Sequence, residues 1–307
     1  MRSQEIHLLE RPQGIPTLAQ FGIVETDVAG PAAGEILVEN IYMSVDPAMR
    51  PRLAAQTPLH KALPGGAIGR VLESRHSGYS AGDLVESMHG FRRYFASTGE
   101  GVSRLDAGGI PLTAHMSVLG LTGLTAYGGL LVIGAVKPGE SVFVSAAAGA
   151  VGSVAAQIAK IKGCYVIGSA GSDDKCRWLQ QDLKLDAVIN YKTQELRTAL
   201  KAAAPRGIDV YFDNVGGEHL NAALPRMNAL GRIAVCGMIS AYNNFGAISE
   251  PVTTLSNMIY NRLTMRGFVF YEFESLRAQF LADMKGWLAA GRMQYRSTVL
   301  QGIEQAP

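Results

Sequence analysis

Residues Val142-Phe143-Val144-Ser145-Ala146-Ala147-Ala148-Gly149-Ala150-Val151-Gly152-Ser153-Val154-Ala155-Ala156-Gln157-Ile158-Ala159 read as a short apolar strand, a turn of small residues and a helix. This run limits the possible folds more than any other. Glycine and alanine where a strand hands over to a helix let the backbone approach a ligand closely. The helix start then offers unpaired N–H groups and a partial positive charge to an anion. A dinucleotide pyrophosphate is held in this way. The spacing, Ala146-x-x-Gly149-x-x-Gly152, departs from the common G-x-G-x-x-G. Small-residue helix starts also arise for packing alone, so the turn needs support from its surroundings.

That support follows at once. Tyr165-Val166-Ile167-Gly168-Ser169 is a second short strand, which completes a strand–helix–strand unit. An NAD site would place an acid at the end of this strand, against the ribose hydroxyls. Here the strand tip reads Ser169-Ala170-Gly171-Ser172-Asp173-Asp174-Lys175. It is small and neutral, with room for a 2′-phosphate, and Lys175 is a cation placed to pair with one. The reading favours NADP over NAD. Asp173 and Asp174 are assigned to capping the next helix, whose first turn favours acids.

The chain has 307 residues, 48% hydrophobic and 18% charged, which is a globular composition with length for two domains. A formal net charge of +2 gives no basis for binding nucleic acid or an acidic membrane surface. Cys164, Cys176 and Cys236 have no metal-ligand spacing, and with no apolar signal core behind Met1-Arg2-Ser3-Gln4-Glu5 the expectation is a reduced, cytoplasmic protein. Met116 to Val136 carries no charge and approaches the length of a membrane span. Its five glycines and the Lys137-Pro138-Gly139-Glu140 turn that follows it point instead to a buried helix at a domain junction.

The first third is rich in short strands and turns. Ile36–Tyr42, Ala67–Glu73, Leu84–Met88 and Phe91–Ser97 read as strands, which suggests a small barrel-like domain. From about Thr122 strands alternate with helices. Ala187–Asn190, Ile208–Asn214, Arg232–Cys236 and Thr264–Phe270 are the further strands; Asp174–Asp182 and Thr193–Ala204 are helical. The expected class is α/β, with a doubly wound parallel sheet whose ligands sit at the carboxyl ends of the strands.

With these residues in view, the chain resembles the medium-chain dehydrogenase/reductase superfamily. Within it, it is similar to the zinc-free branch of prostaglandin reductases, leukotriene B4 12-hydroxydehydrogenases, plant double-bond reductases and bacterial curcumin reductases. The resemblance rests on Tyr42-Met43-Ser44-Val45-Asp46-Pro47-Ala48-Met49-Arg50, Leu121-Thr122-Gly123-Leu124-Thr125-Ala126-Tyr127, the Ala/Gly turn, Asp213-Asn214-Val215-Gly216-Gly217 and Cys236-Gly237-Met238-Ile239-Ser240-Ala241-Tyr242-Asn243. It implies a GroES-like β-rich catalytic domain over 1–121 and a Rossmann domain over 122–292. Residues 293–307 would begin a return to the first domain, cut short relative to the family. A homodimer is a further implication.

The resemblance also assigns roles. Gly149, Ala150, Val151 and Gly152 would hold the pyrophosphate, and Lys175 and Tyr191 the 2′-phosphate. Asn214 with Cys236, Gly237, Ile239, Ser240 and Tyr242 would line the nicotinamide half, and Phe268, Val269 and Phe270 would lie behind the carboxamide. Thr125 would approach the nicotinamide from the domain-junction helix. Read without the family, Tyr191 also fits a strand cap, Phe268 and Phe270 fit a core, and Asn214 fits a turn.

Zinc members of the superfamily use thiolate and imidazole ligands to polarise the substrate oxygen. Here Ser44 stands near the first cysteine position, Pro64-Gly65-Gly66 replaces the Gly-His-Glu run, and no histidine clusters with cysteine. No metal is expected. The implied reaction is NADPH-dependent reduction of the double bond of an α,β-unsaturated aldehyde or ketone, including 2-alkenals, enones and 15-oxoprostaglandin-like substrates. Tyr260, in Asn257-Met258-Ile259-Tyr260-Asn261-Arg262, is the candidate donor to the enolate oxygen or to the ribose. Ala48 replaces the family's usual pocket tyrosine, which predicts a wider or less aromatic substrate site. Quinone reduction and non-catalytic NADPH binding are the competing readings.

Overall fold

The computed structural model describes residues 1–244 and 251–307, and its backbone divides into two units, Met1–Met116 with Ser297–Pro307 and Ser117–Arg296. In the first unit, β1 (Arg2–Leu8) pairs antiparallel with β2 (Phe21–Asp27), Arg2 opposite Asp27 and Leu8 opposite Phe21. There follow β3 (Ile36–Met43), α1 (Met49–Ala55), β4 (Ala67–Ser74), β5 (Leu84–Ser87), β6 (Tyr94–Ser97), β7 (Val102–Arg104) and α2 (Leu112–His115). The last five strands form one antiparallel sheet, ordered β6-β3-β4-β5-β7. Ile36, Val38, Val71, Val85, Phe95 and Val102 pack together from it as one apolar cluster. Ile6, Leu8, Leu53, Leu63, Phe91 and Ile303 make a second. This curled antiparallel sheet is the GroES-like architecture.

The strand expected to start at Phe91 starts at Tyr94 instead. Phe91 has φ 56° and turns its ring into the core, where it lies against Gly65 closely enough that a Cβ on Gly65 would come within 2.5 Å of it. A residue with positive φ cannot continue a ladder.

The second unit opens with α3 (Leu121–Gly128), which widens into a π turn over Gly129–Ile133. This is the uncharged stretch of the sequence, and it is buried from Thr122 to Leu130, with Val132 exposed. Its glycines are packing sites: a Cβ on Gly128 or Gly129 would collide with Phe273 or Phe268. Among the described residues no helix is long and apolar enough to cross a membrane. Then come β8 (Ser141–Val144), α4 (Ala150–Ile161), β9 (Tyr165–Ala170), α5 (Asp173–Arg177), β10 (Ala187–Asn190), α6 (Leu196–Ala203), β11 (Ile208–Asp213), α7 (Gly217–Ala223), β12 (Met227–Val235), α8 (Asn257–Tyr260), β13 (Thr264–Gly267) and α9 (Arg277–Ala289).

The six strands of this unit pair in parallel, in the order β10-β9-β8-β11-β12-β13. All four residues of β8 are buried, as a central parallel strand requires. From β8 the chain winds outward through β9 and β10, then returns to the other side of β8 through β11. Strand order therefore reverses between β8 and β11. In open α/β sheets the ligand crevice lies at that point, beyond the carboxyl ends of the strands.

Candidate functional site

The turn after β8 is built as the sequence suggests. Ala146 takes φ 48°, its carbonyl accepts the Gly149 N–H at 2.9 Å, and Ala147 N–H reaches the Ser169 carbonyl at 2.8 Å. Gly149 is the N-cap of α4 and brings no capping side chain; Gly149 and Ala150 are exposed. The first-turn N–H groups of Ala150, Val151 and Gly152 have no carbonyl upstream within the helix. A Cβ on Gly152 would run into the Ala146 carbonyl oxygen, and one on Gly149 would sit 3.2 Å from it. The cradle therefore depends on glycine, has no acid in the helix's first turn, and fits a pyrophosphate.

One strand along, Ser172 is the N-cap of α5, its hydroxyl accepting from Lys175 N–H at 3.4 Å. The expectation that Asp173 and Asp174 provide the cap is corrected: Ser172 precedes them with extended backbone, the geometry a cap needs. Both acids lie in the first turn. Asp173 accepts from Asn190 Nδ2 at 2.6 Å, and Asp174 pairs with Arg177. Lys175 is exposed, and among the described residues its ammonium forms no ion pair. Tyr191 stands over the same strand tip, its hydroxyl 2.7 Å from where a Cβ on Gly171 would lie. Gly171, Lys175 and Tyr191 thus gather at the carboxyl end of β9.

Beneath Tyr191 lies a residue the sequence reading missed. His219, on α7, meets the Tyr191 ring edge-on at 4.9 Å, is 4% exposed and has no hydrogen-bond partner for Nε2 among the described residues. Burial pushes its pKa down to about 4, so the ring is neutral. A lone histidine in a helix carries no sequence signal for this position.

At the switch point, Asn214 ties two strand ends together. Its N–H donates to Ser145 Oγ at 2.9 Å and its Nδ2 to the Ser145 carbonyl at 2.7 Å. Asp213, fully buried, was not singled out from sequence. Its Oδ1 accepts from the Tyr211 hydroxyl at 2.6 Å, Ser145 Oγ at 3.2 Å, and the Val215 and Gly216 N–H groups at 2.9 Å each; Oδ2 has no partner among the described residues. Burial raises its pKa, although these donors oppose the shift.

The segment after β12 hangs from the same strand. Cys236 and Gly237 donate their N–H groups to the Asp213 carbonyl, Ile239 to that of Asn214 and Ser240 to that of Val215. Ser240 Oγ also donates to Val215 at 2.8 Å, and the Tyr242 hydroxyl accepts from Met238 N–H at 3.4 Å. Burial, with Asp213 adding to it, pushes the Cys236 thiol up to about 12. This thiol is not a ready nucleophile.

The remaining expected residues divide. Thr125 is buried, and its hydroxyl donates to the Leu121 carbonyl within its own helix at 2.7 Å. Phe268 turns inward against Phe212 and Phe273, so its ring belongs to the core. Val269 N–H donates to Glu272 at 2.9 Å, and Phe270 stacks edge-on against Tyr271. Tyr260 is not brought to this rim by its own chain. It ends α8, before β13, at the amino end of the sheet, and is 80% exposed. Asn261, next in sequence, accepts from Leu230 N–H and donates to the Met227 carbonyl, which fixes that level.

Among the described residues no three His, Cys, Asp or Glu side chains are grouped to hold a metal ion. The first unit contains a cavity of about 400 Å³ whose walls include Val45, Asp46, Met49 and Phe91. Ala48, in the same segment, is exposed.

Two family models match the chain: an N-terminal domain of oxidoreductase over residues 4–105, and a zinc-binding dehydrogenase over 150–285. Bovine prostaglandin reductase 1 is 42% identical over 299 residues, covering 96% of this chain and 90% of that protein. An NADP(+)-dependent 2-alkenal reductase of tobacco is 39% identical over 284 residues, covering 90% and 82%. The crystal structure of CurA from Vibrio vulnificus in complex with NADPH aligns with TM-score 0.93 at 36% identity, covering 99% of this chain and 93% of that one. The chain belongs to the medium-chain dehydrogenase/reductase family, in its branch of prostaglandin, curcumin and alkenal reductases.

Proposed function

We propose that this protein is an NADPH-dependent reductase of carbon–carbon double bonds conjugated to an aldehyde or ketone. The observation that carries the reading is the arrangement at the carboxyl ends of β8 and β9. A glycine-dependent cradle lies beside a cluster of Gly171, Lys175 and Tyr191, where Asp173 is engaged by Asn190 and Asp174 by Arg177. The names of the similar prostaglandin and 2-alkenal reductases support the substrate class.

The first turn of α4 would hold the pyrophosphate, and Lys175 and Tyr191 the 2′-phosphate. When bound, the reduced nicotinamide supplies a hydride to the β-carbon of the substrate. Asn214 and the segment from Cys236 to Tyr242 would frame that half of the ligand; Asn214 is hydrogen-bonded to Ser145, and Cys236 and Gly237 to the Asp213 carbonyl. As the β-carbon gains the hydride, the π electrons move to the carbonyl oxygen. A hydroxyl donor there stabilises the developing anion, an effect worth about 10²–10³ in rate. Tyr260 is the candidate that the family resemblance names for that role, and in this structure it ends α8, on the amino side of the sheet. The α-carbon then takes a proton from water.

NADPH oxidation measured against 2-alkenals, enones, 15-oxoprostaglandins and quinones tests the proposal. Turnover of enals or enones, with the saturated carbonyl compound as product, is expected. Turnover of quinones alone would make it a quinone reductase. Tight NADPH binding with no turnover of any acceptor would make it a binding protein.

A further inference from the structure

The main chain of Tyr191 is fixed more firmly than its ring. Its N–H donates to the Ala170 carbonyl at 3.2 Å, which ties the residue to the end of β9. Its neighbours are held too: Lys192 N–H donates to Asn190 Oδ1 at 3.1 Å, and Asn190 N–H to Gln194 Oε1 at 2.9 Å. The ring is 38% exposed, and among the described residues its hydroxyl makes no hydrogen bond. The direction of that hydroxyl is therefore set by what the ring leans on.

Two neighbours decide it. A Cβ on Gly171 would come within 2.7 Å of the hydroxyl oxygen and 3.0 Å of Cζ, so glycine is what lets the ring lie over the strand tip. The other neighbour is His219, whose ring centroid is 4.9 Å from that of Tyr191 with the planes at 78°. Aromatic pairs favour this edge-to-face arrangement. His219 is an expensive residue for its place, because Nε2 is buried with no partner among the described residues. It is also no partner for an anion: it is 4% exposed, and burial holds the ring neutral. Neither a hydrogen bond from Nε2 nor a charge accounts for this imidazole, and its contact with Tyr191 does.

We propose that His219 is a positioning residue for the cofactor's 2′-phosphate: its ring holds that of Tyr191 so that the hydroxyl faces the strand tip where Lys175 stands. The inference rests on the proposed NADPH site, with Lys175 and Tyr191 as partners of that phosphate. Direction matters more for the tyrosine than for the lysine. A hydrogen bond weakens steeply as its angle opens, whereas a charge acts in every direction. Without the imidazole, the Tyr191 ring is free to visit other rotamers and leaves the phosphate for part of the time. NADH has no 2′-phosphate and loses nothing by this.

Two apolar replacements separate the ring from everything else about the residue. His219→Leu fills the space without an aromatic ring, His219→Phe keeps one, and both remove the unpartnered nitrogen, so either should fold. His219→Leu should raise the NADPH KM about 3–10-fold with kcat and the NADH KM near wild type, and His219→Phe should stay within about twofold of wild type. In a Tyr191→Ala background, His219→Leu should add nothing further. Equal KM increases for both cofactors, a His219→Phe as impaired as His219→Leu, or an unchanged NADPH KM in His219→Leu would each overturn the positioning role. If Tyr191→Ala itself leaves the NADPH KM unchanged, the phosphate assignment of Tyr191 falls and the role of His219 falls with it.

A second readout needs no turnover and so stands apart from the reductase activity. Calorimetric titration compares adenosine 2′,5′-bisphosphate with adenosine 5′-monophosphate, which differ only in the 2′-phosphate. The wild type should prefer the bisphosphate; His219→Leu should cut that preference about 3–10-fold, and His219→Phe should keep it. The same preference in the wild type and both variants overturns the inference and leaves the NADPH site standing. No preference in the wild type overturns the 2′-phosphate site, and His219's role with it.

Discussion

Lys175→Ala should separate the two nicotinamide cofactors. The side chain is exposed and, among the described residues, forms no ion pair, while the nearby acids are engaged: Asp173 with Asn190 and Asp174 with Arg177. Its ammonium is therefore available to a 2′-phosphate without first breaking a contact. A hydrogen bond to a charged group is worth about 1.5–3 kcal/mol. Exposure and salt screening favour the lower end. About 1.5 kcal/mol corresponds to roughly a tenfold change in affinity. Initial rates at saturating enal, with NADPH and NADH varied separately, read the effect. The variant should raise the NADPH KM about tenfold at low ionic strength and leave kcat and the NADH KM near wild type. The gap should narrow at 0.5 M salt, where the Debye length is about 4 Å against about 30 Å at 0.01 M. Equal efficiency with NADH and NADPH in the wild type, or equal KM increases for both cofactors in the variant, would refute the assignment.

Three further substitutions probe what lies around that site. Gly152→Val forces a side chain onto the Ala146 carbonyl oxygen and should weaken NADPH binding at least tenfold by fluorescence titration; unchanged affinity would show that the turn does not hold the pyrophosphate. His219→Phe should flatten the acid limb of stability. His219 is held near 4 in the fold against 6.5 when unfolded, so protonation favours unfolding, and stability present above pH 6.5 is lost as pH falls toward 4, by about 3 kcal/mol in all. Denaturant midpoints at pH 7 and pH 4.5 should differ less in the variant than in the wild type, and equal differences would remove His219 from the effect. Asp213→Ala strands the Tyr211 hydroxyl and the Val215 and Gly216 N–H groups and should cost about 3 kcal/mol or more, whereas Asp213→Asn keeps an acceptor and should cost much less. Matching melting temperatures for the two variants would contradict that account.

The cofactor half was legible because its information is local. Val142 to Ala159 carries its strand, turn and helix in one run, and Ser169 to Lys175 places the strand tip beside it. What escaped the reading was set by contacts across long sequence intervals. Ser172 looks no better a cap than Asp173 until the backbone shows which residue is extended. Phe268 fits a carboxamide wall as well as it fits a core in sequence, and its contacts with Phe212 and Phe273 show only that its ring packs in the core. Asp213 and His219 are isolated polar residues in sequence; their importance comes from Ser145, Tyr211 and Tyr191, brought to them by the parallel pairing of β8 and β11 and by α7.

Tyr260 shows a stricter limit. It precedes Phe268 by only eight residues, and that closeness in sequence suggests closeness at the site. A parallel strand defeats the suggestion, because every residue before the strand belongs to the amino rim and every residue after it to the carboxyl rim. No side-chain rotation changes the rim to which a residue belongs.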